Sequence, residues 1–121
     1  MDTVTEAETA IALGDFGGFG TVHRFMSTAE QRREVERVRA AGTVVGAAVG
    51  VSGAYLDRTT EMLDAGADLI MVDVAHGHLE TVLEAVSEIR ASFPDVELIA
   101  GNVATPQGVE DLAAAGADGI K

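Results

Sequence analysis

The stretch LDAGADLIMVDVAHGH, Leu63 to His78, decides how this chain is read. It begins at the end of a helical segment and turns on Gly66. An apolar run follows, DLIMVDV (68–74), and then a polar end carrying Asp73, His76 and His78. A glycine just past a helix end fits the left-handed backbone conformation, which a Cβ disfavours. The run is nearly continuous in apolar residues rather than strictly alternating, as a strand covered on both faces requires. Helix end, glycine turn, buried strand and polar strand end together make one unit of an alternating α/β chain.

The same unit recurs on either side. VRAAGTVVG (38–46) and LAAAGADGI (112–120) share with LDAGADLIM (63–71) a helix end, a glycine and a new strand, so Gly42, Gly66 and Gly116 are equivalent. The spacing is 24 residues and then 50, which leaves room for one more unit, closed by SFPD (92–95). Ser92-Phe93-Pro94 cannot continue a helix. Apolar runs at 43–51, 68–74 and 96–103 predict strands, each followed by a segment of helical periodicity. Leu79, Val82, Leu83, Val86 and Ile89 form one stripe along such a segment. Thr105 and Pro106 supply an N-cap and a first-turn proline. Nearer the N-terminus the pattern predicts a helix over 5–13, a strand over 19–23 and a helix over 28–41.

Strands that alternate with helices of this length imply βαβ units and a parallel sheet. GDFGGFG (14–20) lies between a helix and a strand, the wrong order for a dinucleotide fingerprint, and GAAVGVSG (46–53) lacks the GK[ST] of a phosphate loop. Structural glycines explain both, and a partial (β/α)8 barrel is favoured over a doubly wound sheet. Four complete strands and a fifth starting at Asp118, with one expected before Met1, fall short of the eight in a closed barrel. The expectation is one domain over residues 1–121, truncated at both ends and without a complete active site.

Composition narrows the function. Apolar residues are 47% of the chain and charged residues 23%, the balance of a globular domain. A net charge of −12 argues against a nucleic-acid partner, which needs clustered Lys and Arg. Twenty acidic residues against seven Arg and the single Lys121 suggest a surface adapted to high salt, or simply an acidic protein. No apolar stretch approaches the ~20 residues of a membrane span. Asp2 and Glu6 sit where an export signal would be basic, so a cytoplasmic location is expected. With no Cys, these residues offer no disulfide, thiolate ligand or thiolate nucleophile.

In a barrel, chemistry gathers at the C-terminal strand ends. VDVAHGH (72–78) is the densest such group. Asp73 could accept hydrogen bonds from a pair of sugar hydroxyls or cap the following helix, and His76 could serve as donor or base. A metal held by Asp73, His76 and His78 is conceivable, but no neighbouring strand end carries a further acidic or His cluster, and no metal site is expected. His78 reads as a helix-start or surface residue. Asn102, in AGNVAT (100–105), offers a donor and an acceptor to a ligand or to the adjoining loop. His23 and Arg24, with no carboxylate nearby, read as substrate-side polar residues or loop ties. STAEQRREVERVR (27–39) reads as a solvated helix face.

MDTVTEAETAIAL (1–13), GGFGTVHRFMSTAEQ (17–31), VGAAVGV (45–51), VDVAHGH (72–78) and IAGNVATPQG (99–108) closely resemble the barrel of the IMP dehydrogenase and GMP reductase family, in order over essentially the whole chain. The resemblance implies a (β/α)8 barrel acting on the purine ring of IMP or GMP, the dehydrogenase with NAD and the reductase with NADPH. It implies that Met1 sits against the purine base and that Asp73 binds the nicotinamide-side ribose. His76 and Gly77 would lie beside that pocket, and Asn102 near the catalytic loop and the reacting carbon. It also implies that the nucleophilic Cys loop and the monovalent-cation (K+) site follow Lys121, so no catalytic residue is assigned within the chain.

The family's dehydrogenases usually insert a pair of CBS modules after the helix matching residues 27–39; here that helix runs through AAGT (40–43) into the next strand. Within the family, HRFMSTAEQ (23–31) and AHGH (75–78) favour IMP dehydrogenase, while the missing insertion favours GMP reductase. The partners implied are a purine nucleoside monophosphate and, for a full-length form, a homotetramer. A non-catalytic half-barrel interaction module is the reading from another class.

Overall fold

A computed structural model describes residues 4–121. Five helices alternate with five strands: α1 (Ala7–Asp15), β1 (Gly20–Val22), α2 (Thr28–Ala40), β2 (Val45–Val49), α3 (Tyr55–Asp64), β3 (Leu69–Asp73), α4 (Glu80–Ser92), β4 (Glu97–Gly101), α5 (Pro106–Ala115) and β5 (Gly119–Ile120). The strands form one parallel sheet in sequential order, β1 to β5. Sequential parallel strands with a helix in every connection are the arrangement of a partial (β/α) barrel.

Strand periodicity separates the two faces of the sheet. Val22, Ala47, Val49, Ile70, Val72, Leu98 and Ala100 are buried against the helices, where Val35, Val38, Met62, Val82, Val86, Ile89 and Leu112 complete the core. The alternate residues Thr21, Ala48, Met71 and Asp73 face a concave cavity of about 260 Å³, closed at its sides by Leu13, Phe19, His23 and Lys121. This concave face corresponds to a barrel interior.

Local chemistry sets the helix ends. Ser27 caps α2 in a reciprocal capping box with Glu30, and Thr105 caps α5 through the Gly108 N–H, with Pro106 in the first turn. Gly42, Gly66 and Gly116 all have positive φ, as their shared position in the repeat requires. Leu79 departs from the expected stripe. It is the N-cap of α4 and exposed, because the helix begins only at Glu80.

The repeat also builds a clamp at the N-terminal ends of the strands. Asp68 accepts the Val45 N–H at 2.9 Å and the Arg39 guanidinium at 2.9 Å. Asp118 accepts the Leu98 N–H at 2.9 Å and Arg90 at 2.5 Å. Both arginine stems lie over the glycine that precedes the Asp, Arg39 over Gly66 and Arg90 over Gly116. A Cβ on Gly116 would stand 2.8 Å from Arg90 Cγ, so this position requires glycine for space as well as for its φ of 117°.

Candidate functional site

The C-terminal strand ends converge on Asp73. It lies at the end of β3 in register with Gly101 of β4, and its carboxylate accepts from Lys121 Nζ at 3.0 Å. Its backbone carbonyl accepts from Arg24 Nε at 3.3 Å. Asp73 is therefore a strand-end residue on the concave face, and it caps no helix, since α4 starts only at Glu80. A quarter of its side chain is exposed, which leaves a carboxylate oxygen accessible from the cavity.

The loops after β3 and β4 are stitched together. Val74 N–H donates to the Gly101 carbonyl at 3.0 Å, Asn102 N–H to the Val74 carbonyl at 2.8 Å, and Gly77 N–H to the Asn102 carbonyl at 2.7 Å. A Cβ on Gly77 would stand 2.8 Å from that same Asn102 oxygen, so only glycine permits the approach. The peptide between Gly101 and Asn102 is cis. Asn102 Oδ1 is buried and meets no hydrogen-bond partner among the described residues. A buried, unsatisfied amide oxygen is uncommon in folded proteins and points to a donor from a ligand or another segment.

The other candidates separate. His76 is exposed. His78 pairs through Nε2 with Asp111 of α5 at 2.7 Å, and Asp111 is held below the ordinary carboxyl range by hydrogen bonds from Gln107 and then His78. With Asp73 on Lys121 and His78 on Asp111, the conceivable Asp73–His76–His78 metal set is not assembled. No group of three or more His, Cys, Asp and Glu side chains suited to a metal occurs among the described residues. Met1 lies outside the described residues.

Sequence reasoning missed part of this end of the barrel. His23 does have a carboxylate: Nε2 lies 3.1 Å from Glu6 Oε1. Because the Phe25 N–H donates to Nδ1 at 3.1 Å, the neutral ring carries its proton on Nε2 and donates it to Glu6. Gln31, read as part of a solvated face, is fully buried. Its Nε2 donates to the carbonyls of Ala48 at 2.7 Å and Val22 at 3.3 Å, joining β1 to β2, while its Oε1 accepts from Arg58 at 2.8 Å. The signal was the spacing Gln31, Val35, Val38, a buried stripe at i, i+4 and i+7. Lys121 as a partner of Asp73 had no local signal, since the two are 48 residues apart.

Comparison with known proteins agrees with this arrangement. Residues 1–121 match the family described as IMP dehydrogenase / GMP reductase domain. An inosine-5'-monophosphate dehydrogenase of Nitrosopumilus maritimus is 56% identical over 78 residues, 64% of this chain and 16% of that protein. One from Borreliella burgdorferi is 29% identical over 171 aligned residues, spanning 100% of this chain and 42% of that protein. A GMP reductase of Streptococcus agalactiae is 36% identical over 121 residues, 100% of this chain and 37% of that protein. The chain thus spans less than half the length of these relatives. No helix among the described residues is long and apolar enough to cross a membrane. With a matching domain over its full length, and parallel strands whose ends gather at Asp73 and Asn102, the chain belongs to the IMP dehydrogenase / GMP reductase family.

Proposed function

We propose that this chain forms part of an IMP dehydrogenase, the part that holds the nicotinamide-side ribose of NAD and one edge of the purine nucleotide. The observation that carries the reading is the identity of 56% over 78 residues to a protein named inosine-5'-monophosphate dehydrogenase. The GMP reductase reading rests on its 36% match across the whole chain, over 121 aligned residues.

The residues fit a bound dinucleotide and nucleotide. Asp73 offers a carboxylate oxygen to a ribose diol, with Lys121 fixing its orientation from the β5 side. The orphaned Asn102 Oδ1 lacks a donor, which an amide or hydroxyl brought by ligand would supply. Gly77 ties the β3 loop to the Asn102 backbone just beyond Asp73, and His76 on the same loop is exposed. Met1 is assigned to the purine base. Bound there, NAD would supply a nicotinamide ring that accepts a hydride.

The chain's own residues bind and orient. With no Cys, they supply no thiolate, and the family's nucleophile and K+ site are not among them. Residues 1–121 alone are thus a binding element without turnover. The location assigned is the cytoplasm and the full assembly a homotetramer.

Calorimetric titration of the chain with NAD, NADPH, IMP and GMP tests this. NAD and IMP are expected to bind, and Asp73→Asn should weaken NAD roughly tenfold, the scale of one charge-assisted hydrogen bond. Preference for NADPH and GMP would move the assignment to the reductase; NAD binding indifferent to Asp73→Asn would remove the ribose assignment.

A further inference from the structure

A second polar cavity, of about 200 Å³, opens beside Asp73 between the loops that follow β1 and β2. Its walls include Arg24 and Arg58, the hydroxyl-bearing residues Thr28 and Ser52, Gly50, and Tyr55, whose own hydroxyl is given to Glu88. This chain carries an excess of carboxylates; Arg37, Arg39 and Arg90 each hold one, and Arg32 holds two. Arg24 and Arg58 hold none among the described residues. They face each other's charge instead: burial, and then the Arg24 charge, draw Arg58 below the ordinary guanidinium range.

The two arginines are held in place by neutral groups. Arg58 donates to Gln31 Oε1 at 2.8 Å and to the Met26 and Arg24 carbonyls at 3.2 and 3.4 Å. Arg24 donates only Nε, to the Asp73 carbonyl, and stacks over the Phe25 ring at 4.8 Å. Both terminal amino groups of Arg24 are left without an acceptor among the described residues. Gly50 makes room for them, since a Cβ there would stand 3.2 Å from Arg24 Nη1. The first turn of α3 borders the same cavity, and its N-cap residue, Ala54, offers no side-chain oxygen to the free N–H groups. Two like charges fixed side by side without a counter-ion cost free energy that a bound anion recovers, and a guanidinium pair presents the donor geometry a phosphate oxygen accepts.

We propose that Arg24, Arg58, Ser52 and the first turn of α3 form a binding site for a phosphate-class oxyanion. Two sources share that chemistry: the diphosphate bridge of a dinucleotide, or a free phosphate group. The first rests on the ribose assignment to Asp73, whose carbonyl Arg24 already touches. The second does not.

Tyr55 is the chain's only tyrosine and lines the cavity, and there is no Trp, so its fluorescence reports this site directly. The chain is titrated with inorganic phosphate, pyrophosphate, ADP-ribose and NAD at constant ionic strength, with KCl as the control. Backbone amide shifts are followed in parallel at residues 50–58 and at Asp73. Phosphate or pyrophosphate should saturate the Tyr55 signal and shift residues 50–58. Arg24→Gln, which breaks no ion pair and gives up the Phe25 stacking and the bond to the Asp73 carbonyl, should weaken that binding roughly tenfold. Ser52→Ala is an exposed, mild second variant and should weaken it by a smaller factor.

If ADP-ribose and NAD shift Asp73 together with residues 50–58, the occupant is the dinucleotide diphosphate. If only phosphate and pyrophosphate act, it is a separate phosphate group. A response matched by KCl, one that survives Arg24→Gln unchanged, or shifts located elsewhere would each overturn the site. NAD shifts at Asp73, with no response at residues 50–58 to NAD, phosphate or pyrophosphate, would overturn it while leaving the ribose assignment standing.

Discussion

Arg39 and Arg90 occupy equivalent places in the repeat, yet they should differ sharply in what they contribute to stability. Each stem covers a glycine at a similar distance, so the packing lost on truncation to Ala is comparable and largely cancels between them. The hydrogen bonds do not cancel. Arg39 makes one, to Asp68, from a side chain that is 55% exposed. Arg90 is 25% exposed and donates to Asp118 and to the carbonyls of Gly116, Pro94 and Val96 at 3.0, 2.8 and 2.9 Å. An exposed pair contributes about 0–1 kcal/mol. Each additional bond from a charged donor to a partly buried carbonyl contributes about 1 kcal/mol net, after water replaces part of it.

Arg90→Ala should therefore cost about 3 kcal/mol and Arg39→Ala under about 1 kcal/mol, against a total of roughly 5–15 kcal/mol for a small domain. Urea unfolding followed by circular dichroism, read at equal slope, measures both. Added salt should erase most of the Arg39 effect and little of the Arg90 effect. Acid supplies a further check. The Leu98 N–H and then Arg90 hold the Asp118 carboxyl below its ordinary value of 3.8, with burial opposing. A lowered folded value means that the contribution is present above the unfolded pKa and lost as pH falls through the folded one. The gap between wild type and Arg90→Ala should narrow there. Equal losses for the two variants at neutral pH would refute the reasoning.

Gly77→Ala should cost about 1–3 kcal/mol, because the new methyl meets the Asn102 carbonyl at 2.8 Å and backbone must shift to relieve it. Hydrogen exchange should locate the loosening at residues 74–77 and 101–103, and uniform loosening across the sheet would contradict this. Tyr55 donates its hydroxyl to Glu88, which pushes the phenol up to about 12. A raised folded value favours the neutral phenol, so its contribution is intact below the unfolded value of 10.0 and lost as pH climbs through about 12. Ultraviolet titration of this single tyrosine should show the displaced midpoint, and Glu88→Gln should return it toward 10.0.

Much of the fold was legible because glycine and proline punctuate it. The positive φ at Gly42, Gly66 and Gly116, the Thr105 cap and the break at Ser92-Phe93-Pro94 all follow from local sterics. Element ends were less so. The apolar runs extend past the paired residues, so strands expected over 43–51, 68–74 and 96–103 are Val45–Val49, Leu69–Asp73 and Glu97–Gly101. α1 runs on to Asp15 through Gly14, which looks like a breaker; Gly14 is there because Thr43 packs where its Cβ would be.

At the site, Asp73 and Asn102 could be placed from their strand ends. Their setting depended on pairings between distant segments, Asp73 with Lys121 and Gln31 with Ala48 and Arg58, which no local pattern encodes.

The Gln31 network has a consequence for how this architecture tolerates change. It joins β1, β2 and α3 at the C-terminal ends of the strands, whereas the connection from α2 into β2, residues 41–44, lies at the opposite end of the sheet. Lengthening that connection adds closure entropy that grows only slowly with length. The buried amide would meanwhile keep β1 and β2 in register next to the loops at the C-terminal strand ends. Residues 41–44 are thus where added chain should disturb the paired ends of β1 and β2 least: the scaffold separates tolerance of length at one end of the sheet from fixed alignment at the other.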